Sequence, residues 1–192
     1  YFKNYIGRGY HESILPPVIQ RNILENPGWY TAYTPYQAEV AQGRLEALLN
    51  YQTVICDLTG MELSNASLLD EGTSAAEAMT MLFANRDREK VNNNCNKFFV
   101  ADDVFDQTLD VLMTRAEPLG IEIVKNSIDK INVDKSFFGS YVQYTGKNGQ
   151  INDLKTISKT ISNFDIKLIV AADLLSLTIL EKPSLFNCDV VV

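Results

Sequence analysis

Short apolar runs alternate with helical patterns from about Ser67 onward, and this alternation limits the folds open to the chain more than any other feature. The strand-like runs lie at 98–101, 121–125, 141–144, 168–171 and 189–192. Strands separated by helices in this way form mostly parallel sheets, with right-handed crossovers and helices on both faces. The sequence therefore predicts an α/β fold.

The first long helix is predicted from its start and stop signals. Thr34 can cap it, Pro35 suits the first helical position, and Gln37 completes a capping box. Gly60 ends it. The positions at helical spacing predict one buried stripe, made of Leu45, Leu48, Leu49, Gln52 and Ile55.

Three later helices are predicted from the polar residues at their starts. Thr73 or Ser74 caps the first, Asp106 opens the second, and Asn152 caps the third. Gly120 is expected to close the second of these helices. The sequence thus predicts a helix in each of these three connections.

The opening segment is aromatic and irregular, with eight of the 19 aromatic residues within the first 36 positions. Such segments usually bury their rings against another domain or subunit. Packing against the chain's own domain is the alternative. We expect two parts, an interface-forming arm and long helix at 1–66 and a partial α/β domain at 67–192.

The last predicted strand, at 189–192, has no loop after it. Ligands of parallel sheets bind at the loops beyond the carboxyl ends of the strands. We therefore expect the chain to be a piece of a longer domain, truncated at its C-terminal side, whose functional loop follows Val192.

Composition excludes several classes of partner. The net charge of -7 and the absence of a basic stripe disfavour nucleic acid. Apolar runs stay below the roughly 18 residues of a membrane helix. The cysteines, Cys56, Cys95 and Cys188, lack the spacing of a metal site and suit a reducing compartment.

The start of the helix near residue 72 is the first candidate for chemistry. Gly72, Thr73 and Ser74 could offer N–H and hydroxyl donors to a phosphate at the positive end of a helix. Asp70 and Glu71 oppose this, because they place two negative charges where a phosphate would bind. The segment is neither a dinucleotide fingerprint nor a P-loop.

Asp173 is the second candidate, because it follows a predicted buried strand and could direct a carboxylate into a cleft. A helix cap is the alternative. His11, the single histidine, is expected to be structural. No lysine lies in a loop after a buried strand beside a Ser or His, the setting that activates a Schiff-base nucleophile.

The amino-acid sequences of three segments are specific enough to indicate a family. They read NPGWYTAYTPYQAE at 26–39, QGRLE at 42–46 and NASLLDEGT at 65–73. These strings closely resemble the N-terminal half of the glycine cleavage system P-protein, the pyridoxal-phosphate-dependent glycine decarboxylase. The resemblance extends over most of the chain, for example through the ADLL string that begins at Ala172.

The resemblance implies the large domain of a fold-type-I pyridoxal-phosphate enzyme. It also implies a two-half design, in which the other half or subunit carries the Schiff-base lysine and binds the cofactor. This chain would then belong to the lysine-free half and hold no cofactor. On this basis Gly72, Thr73, Ser74 and Asp173 are vestiges of a cofactor site.

The family reaction decarboxylates glycine and passes the aminomethyl group to the lipoyl arm of the carrier H-protein. The resemblance therefore implies these partners, within a homodimer or heterotetramer in the bacterial cytoplasm or the mitochondrial matrix. Polar and aromatic residues near the predicted helix start are expected at the rim of the neighbouring half's active site, namely Tyr33, Thr34, Tyr36, Gln37, Glu39 and Arg44.

Two other functions remain open from the residues. The chain could belong to the active domain of a different fold-type-I pyridoxal-phosphate enzyme, an aminotransferase or a lyase, whose lysine lies beyond Val192. It could also be a non-catalytic assembly module.

Overall fold

A five-stranded sheet forms the centre of the computed structural model, which describes residues 2–30, 37 and 44–192. Every pair of neighbouring strands is parallel. The spatial order is β2-β1-β3-β4-β5, with β1 (Lys97–Ala101), β2 (Glu122–Asn126), β3 (Phe137–Tyr144), β4 (Lys167–Ala172) and β5 (Val190–Val191). The predicted parallel sheet is confirmed. The largest difference is in β3, which begins four residues earlier than predicted.

Helices fill the connections between the strands. The α-helices are α1 (Pro17–Ile19), α2 (Leu45–Thr59), α3 (Glu71–Ala84), α4 (Arg88–Asn92), α5 (Asp106–Ala116) and α6 (Leu154–Ser162). A π-helical segment (Gln20–Leu24) extends α1, and short 3-10 helices lie at Glu117–Leu119, Ile128–Lys130, Ser176–Thr178 and Pro183–Phe186. None of the helices in the described ranges combines the length and apolar character needed to span a bilayer.

The central strand, β3, is buried along its whole length. Gln143 on this strand contacts the start of α3, whereas the ring of Tyr144 packs against Phe186, with centroids 6.4 Å apart. Because neighbouring side chains of a strand point to opposite faces, the sheet is covered on both sides. This agrees with the prediction of helices on both faces.

The predicted caps of two helices are wrong by a few residues. Asp70 caps α3, and its carboxylate accepts a hydrogen bond from the Thr73 N–H at 2.7 Å. Asp153 caps α6 in the same way, through the N–H of Thr156 at 3.1 Å. Asn152 does not act as the cap because its amide is engaged elsewhere in the core. Each cap lies three positions before the N–H that it satisfies.

The second predicted helix agrees with the structure. Helix α5 begins at Asp106, and Gly120 ends the 3-10 helix that continues it, with a left-handed φ of 67°. A short helix that was not predicted, α4, is capped by Asp87. The sequence around α4 is polar and offers no apolar period from which to predict it.

The predicted apolar stripe of α2 is not buried by the described residues. Leu45 and Leu49 are 41% and 63% exposed, and the buried residue of this helix is Thr59. The reason is that α2 meets the rest of the structure near its C-terminal end, where Leu58 packs against the core. The predicted start at Thr34 and Pro35 lies outside the described residues.

A buried polar cluster fixes the loop after β3. Asp103 is 3% exposed, and its Oδ2 accepts a hydrogen bond from Asn152 Nδ2 at 2.7 Å. The same Asn152 amide donates to the Gln143 carbonyl, also at 2.7 Å. A Cβ atom on Gly146 would overlap Asp103 Oδ2, so this position requires glycine for space.

We predict that Gly146→Ala destabilises the chain by about 3 kcal/mol, because the added methyl group must displace a buried carboxylate. The matched control is Gly149→Ala in the same turn, where a Cβ meets nothing within 4 Å but φ is 77°. Left-handed strain alone should cost about 1 kcal/mol there. Urea unfolding of both variants tests this, and equal losses would contradict it.

Candidate site at the carboxyl edge of the sheet

A cavity of about 150 Å³ lies where β3 and β4 end, at the edge of the sheet at which α/β proteins bind ligands. Its wall includes two acids, one amide and one imidazole among the residues Gly9, His11, Glu71, Phe105, Gln143, Thr145, Ala171, Ala172, Asp173 and Val192. The cavity is therefore small, of mixed polarity, and has two acidic groups in its wall.

The carboxylate of Glu71 connects three elements beside this cavity. Its Oε1 accepts hydrogen bonds from Gln143 Nε2 at 2.9 Å and from Thr108 Oγ1 at 3.3 Å. Gln143 and Thr108 are buried, on β3 and α5. One oxygen at the start of α3 thus satisfies donors from two other elements.

The surroundings of Glu71 raise its pKa. Although the residue as a whole is exposed, its carboxylate end is desolvated, and this burial is the largest cause. The hydrogen bonds from Gln143 and Thr108 lower the pKa in part, and the charge of Asp173 raises it. The hydrogen bonds from Gln143 and Thr108 therefore stabilise the ionised form of the Glu71 carboxyl.

Tyr141 lies two residues before Gln143 on the same face of β3. Its hydroxyl is buried and has no hydrogen-bond partner among the described residues. Burial, followed by the nearby charge of Glu71, raises the pKa of Tyr141 well above its ordinary value. The phenol therefore remains protonated, close enough to Glu71 to sense its charge but not bonded to it.

The start of α3 does not fit a cofactor phosphate. The N–H of Thr73 already donates to the Asp70 carboxylate, and these hydrogen bonds lower the pKa of Asp70. The N–H and hydroxyl of Ser74 both donate to the Asp70 carbonyl, at 2.9 and 2.8 Å. The Thr73 N–H is thus taken by Asp70, and the carboxylates of Asp70 and Glu71 place two negative charges beside the remaining donors of this helix start.

The cavity also lacks a lysine among the described residues that line it. Lys147, in the loop after β3, pairs with Asp106 instead, with Nζ 3.4 Å from Oδ1. Gly72, the most permissive residue of the predicted loop, faces Val111, whose Cγ2 would lie 3.2 Å from an added Cβ. The residues present therefore do not fit pyridoxal phosphate.

Asp173 lies at the cavity wall and also accepts a backbone hydrogen bond in the following turn. It lines the cavity at the end of β4, and its Oδ1 accepts a hydrogen bond from the Ser176 N–H at 3.1 Å, at the start of the 3-10 helix there. A carboxylate that caps a turn is held in place, so the cavity keeps a fixed acidic group on this side.

Three residues of the site were missed or undervalued in the sequence. Gln143 and Thr108 carry no motif, although Gln143 is a polar residue within a predicted buried strand, which is a usable signal. His11 was expected to be purely structural, and the structure places it in the cavity wall. His11 belongs to the arm, and no sequence pattern indicates that the arm reaches this cavity.

The predicted rim residues are only partly described. Tyr33, Thr34, Tyr36 and Glu39 lie outside the described residues, and Gln37 is exposed. Arg44 donates from Nε to the Trp29 carbonyl at 2.9 Å and from Nη2 to the Gly28 carbonyl at 3.1 Å. Arg44 therefore holds the arm to the start of α2.

Within the described ranges, no group of three or more His, Cys, Asp or Glu residues has the geometry of a metal site. The three cysteines are free thiols. Burial raises the pKa of Cys188 to about 11, so this thiol stays protonated beside Met61, with sulfur atoms 3.8 Å apart.

The whole chain, residues 1–192, matches the sequence profile of a family described as glycine cleavage system P-protein. A glycine dehydrogenase (decarboxylating) of Christiangramia forsetii is 57% identical over 191 residues, which cover all of this chain and 20% of that protein. The chain thus spans about a fifth of the length of the curated relatives that it matches.

Solved structures show the same relationship. A glycine decarboxylase (P-protein) of the glycine cleavage system, in inhibitor-bound form, matches 97% of this chain and 42% of its own, with a TM-score of 0.84 and 30% identity. A putative O-acetylhomoserine (thiol)-lyase from Campylobacter jejuni, solved with pyridoxyl-lysine monophosphate, matches 84% of this chain and 42% of its own. Its TM-score of 0.59 at 14% identity shows a shared fold alone. The predicted fold-type-I architecture is confirmed.

We predict that Gln143→Met raises the pKa of Glu71 further, because it removes the closer donor to that carboxylate. A carboxyl whose folded-state pKa lies above the usual 4.5 loses stability as the pH rises through that range. The variant should therefore weaken relative to the parent chain as the pH rises above 4.5, by about 1 kcal/mol for a partly solvated hydrogen bond.

Urea unfolding across this pH range measures the effect. In a Glu71→Gln background, Gln143→Met should have the same effect at every pH, because no carboxyl remains to ionise. Parallel pH curves for the parent and the Gln143→Met variant would disprove the coupling.

Proposed function

The chain belongs to the glycine cleavage system P-protein family, and we propose that it is the cofactor-free portion of a glycine dehydrogenase (decarboxylating). The full protein would decarboxylate glycine and pass the aminomethyl group to the lipoyl arm of H-protein. The role of this portion would be to shape and complete an active site that another half of the protein carries.

The occupied helix start of α3 is the observation that carries this proposal. In a sheet of this type the edge that α3 borders is where a ligand would bind. Here Asp70 and Glu71 use the free donors of that edge, and no described lysine lines the cavity. A domain with the fold of pyridoxal-phosphate enzymes whose helix start carries two acidic residues in place of a phosphate suits a supporting role.

Pyridoxal phosphate, held by the other half, is the cofactor we propose for the full protein. When bound, it supplies the carbanion stabilisation that decarboxylation requires. The partners would be the other half or subunit, lipoylated H-protein and glycine, in a homodimer or heterotetramer. The relatives named above are bacterial, and we propose the bacterial cytoplasm as the compartment.

The arm and long helix, residues 1–66, would form the interface with the other half. Large apolar side chains there are exposed, including Phe2 at 97%, Ile14 at 96% and Leu49 at 63%. An exposed apolar surface of this kind marks an interaction site. The predicted rim residues Tyr36 and Glu39 belong to the same part of the chain.

Glycine carboxyl exchange tests the proposal in the full-length protein. Tyr36→Phe and Glu39→Gln should each lower the exchange of the glycine carboxyl group with bicarbonate at least about tenfold, because misplaced groups at an active-site rim disturb substrate alignment. The assay contains lipoylated H-protein, and size-exclusion chromatography confirms assembly. Glu122→Gln, at an exposed acid on β2 outside residues 1–66, is the matched control and should leave exchange unchanged.

Normal exchange in both rim variants, with normal assembly, would reject the rim assignment. The same assay distinguishes an assembly module, because substitutions in such a module would change exchange only when they change assembly. The similarity to other pyridoxal-phosphate enzymes, at 14% identity, supports the fold and not their activities.

A further inference from the structure

The arm contains a turn with unusual backbone geometry. Gly7, Arg8 and Gly9 have φ values of 68°, 57° and 83°, so three consecutive residues lie in the left-handed region. Hydrogen bonds from the Tyr10 N–H to the Gly7 carbonyl and from the His11 N–H to the Gly9 carbonyl, both 3.1 Å, close the turn. For Arg8 this conformation is costly, so neighbouring contacts must hold it.

Those contacts come from the start of α5, about a hundred residues further along the chain. Gln107 Nε2 donates to the Arg8 carbonyl at 3.0 Å. Gly9 lies directly on the Phe105 ring, where an added Cβ would be 3.0 Å from Cε2. The glycine is required here both for its φ and for this close approach.

The turn contributes to the cavity described above. Gly9 and His11 belong to its wall, together with Glu71, Gln143 and Asp173 from the sheet edge and α3. The segment on either side of the turn is exposed, with Tyr5 at 85% and Ile14 at 96%. The turn is therefore attached at the cavity while its flanks make little contact with the described part of the domain.

We propose that residues 7–11, which we call the strap, cover the floor of the carboxyl-edge cavity and must lift before a small molecule can reach the buried Gln143 and Ala171. The strap is held in place by the hydrogen bond from Gln107 to the Arg8 carbonyl and by the contact of Gly9 with the Phe105 ring. Segments with few buried contacts open locally far more often than the core. The strap is thus a lid built from the chain's own arm, and the inference does not depend on the proposed activity.

Thiol labelling in the full-length protein tests the strap. Ala171 lines the cavity and is 2% exposed, so Ala171→Cys places a small reporter behind the strap. Iodoacetamide labelling at this position, followed by peptide mass spectrometry, reports how often the cavity opens. In the strap variant Gln107→Ala, labelling should be about fivefold faster, which is the population change expected from the loss of one hydrogen bond.

Two controls separate opening of the strap from general loosening. Asp110→Ala removes another exposed side chain of α5 and should leave the labelling rate unchanged. Ala101→Cys, fully buried and outside the cavity wall, should stay unreactive in every background. Gly9→Val, which places a side chain against Phe105, should accelerate labelling of Ala171→Cys as Gln107→Ala does.

The proposal is overturned by any of three results. The first is labelling of Ala171→Cys at the rate of an exposed thiol in the parent. The second is an unchanged labelling rate in the Gln107→Ala variant. The third is faster labelling of Ala101→Cys in parallel with Ala171→Cys, which would indicate loosening of the whole domain.

Discussion

The hydrogen bonds to the Glu71 carboxylate determine how the carboxyl edge of this sheet is arranged. One oxygen receives donors from β3 and α5 while belonging to the first residue of α3. If Glu71 were absent, the buried Gln143 amide and Thr108 hydroxyl would lose an acceptor, at about 1–3 kcal/mol for each unsatisfied donor. The relative positions of the three elements, and so the shape of the cavity, depend on this contact.

The partial positive charge at the start of α3 is therefore offset by carboxylates of the chain itself. Asp70 and Glu71 supply the negative charge that such a helix start attracts, and Asp70 also takes the N–H of Thr73. The same edge is closed on its outer side by the strap, through Gln107 and Phe105. In this fold the carboxyl edge of the sheet commonly binds a ligand, whereas here side chains of the chain itself contact that edge.

The sheet could be predicted from the sequence because its signals are local. Most strands contain a short apolar run, and Gly120 marks the end of the 3-10 helix that continues α5. The caps were harder, because Asp70, Glu71, Thr73 and Ser74 are all competent capping residues within five positions, and only the backbone conformation selects Asp70.

Most of the site could not be predicted from the sequence because it is formed by contacts between residues that are far apart along the chain. Gln143 and Glu71 are 72 positions apart, and Gln107 and Arg8 are 99 apart. No periodicity or motif encodes such pairs. Asp173 was singled out because its position after a strand is itself a local signal, whereas the predicted burial of α2 was wrong because this helix meets the described part of the structure near its C-terminal end.

The most direct test of the account is the location of the cofactor in the full-length protein. Borohydride reduction of protein loaded with pyridoxal phosphate fixes the cofactor on its lysine, and peptide mapping then identifies that lysine. The account predicts a stoichiometric pyridoxyl-lysine outside residues 1–192 and none on the 11 lysines within them. A stoichiometric adduct on one of those 11 lysines would contradict it.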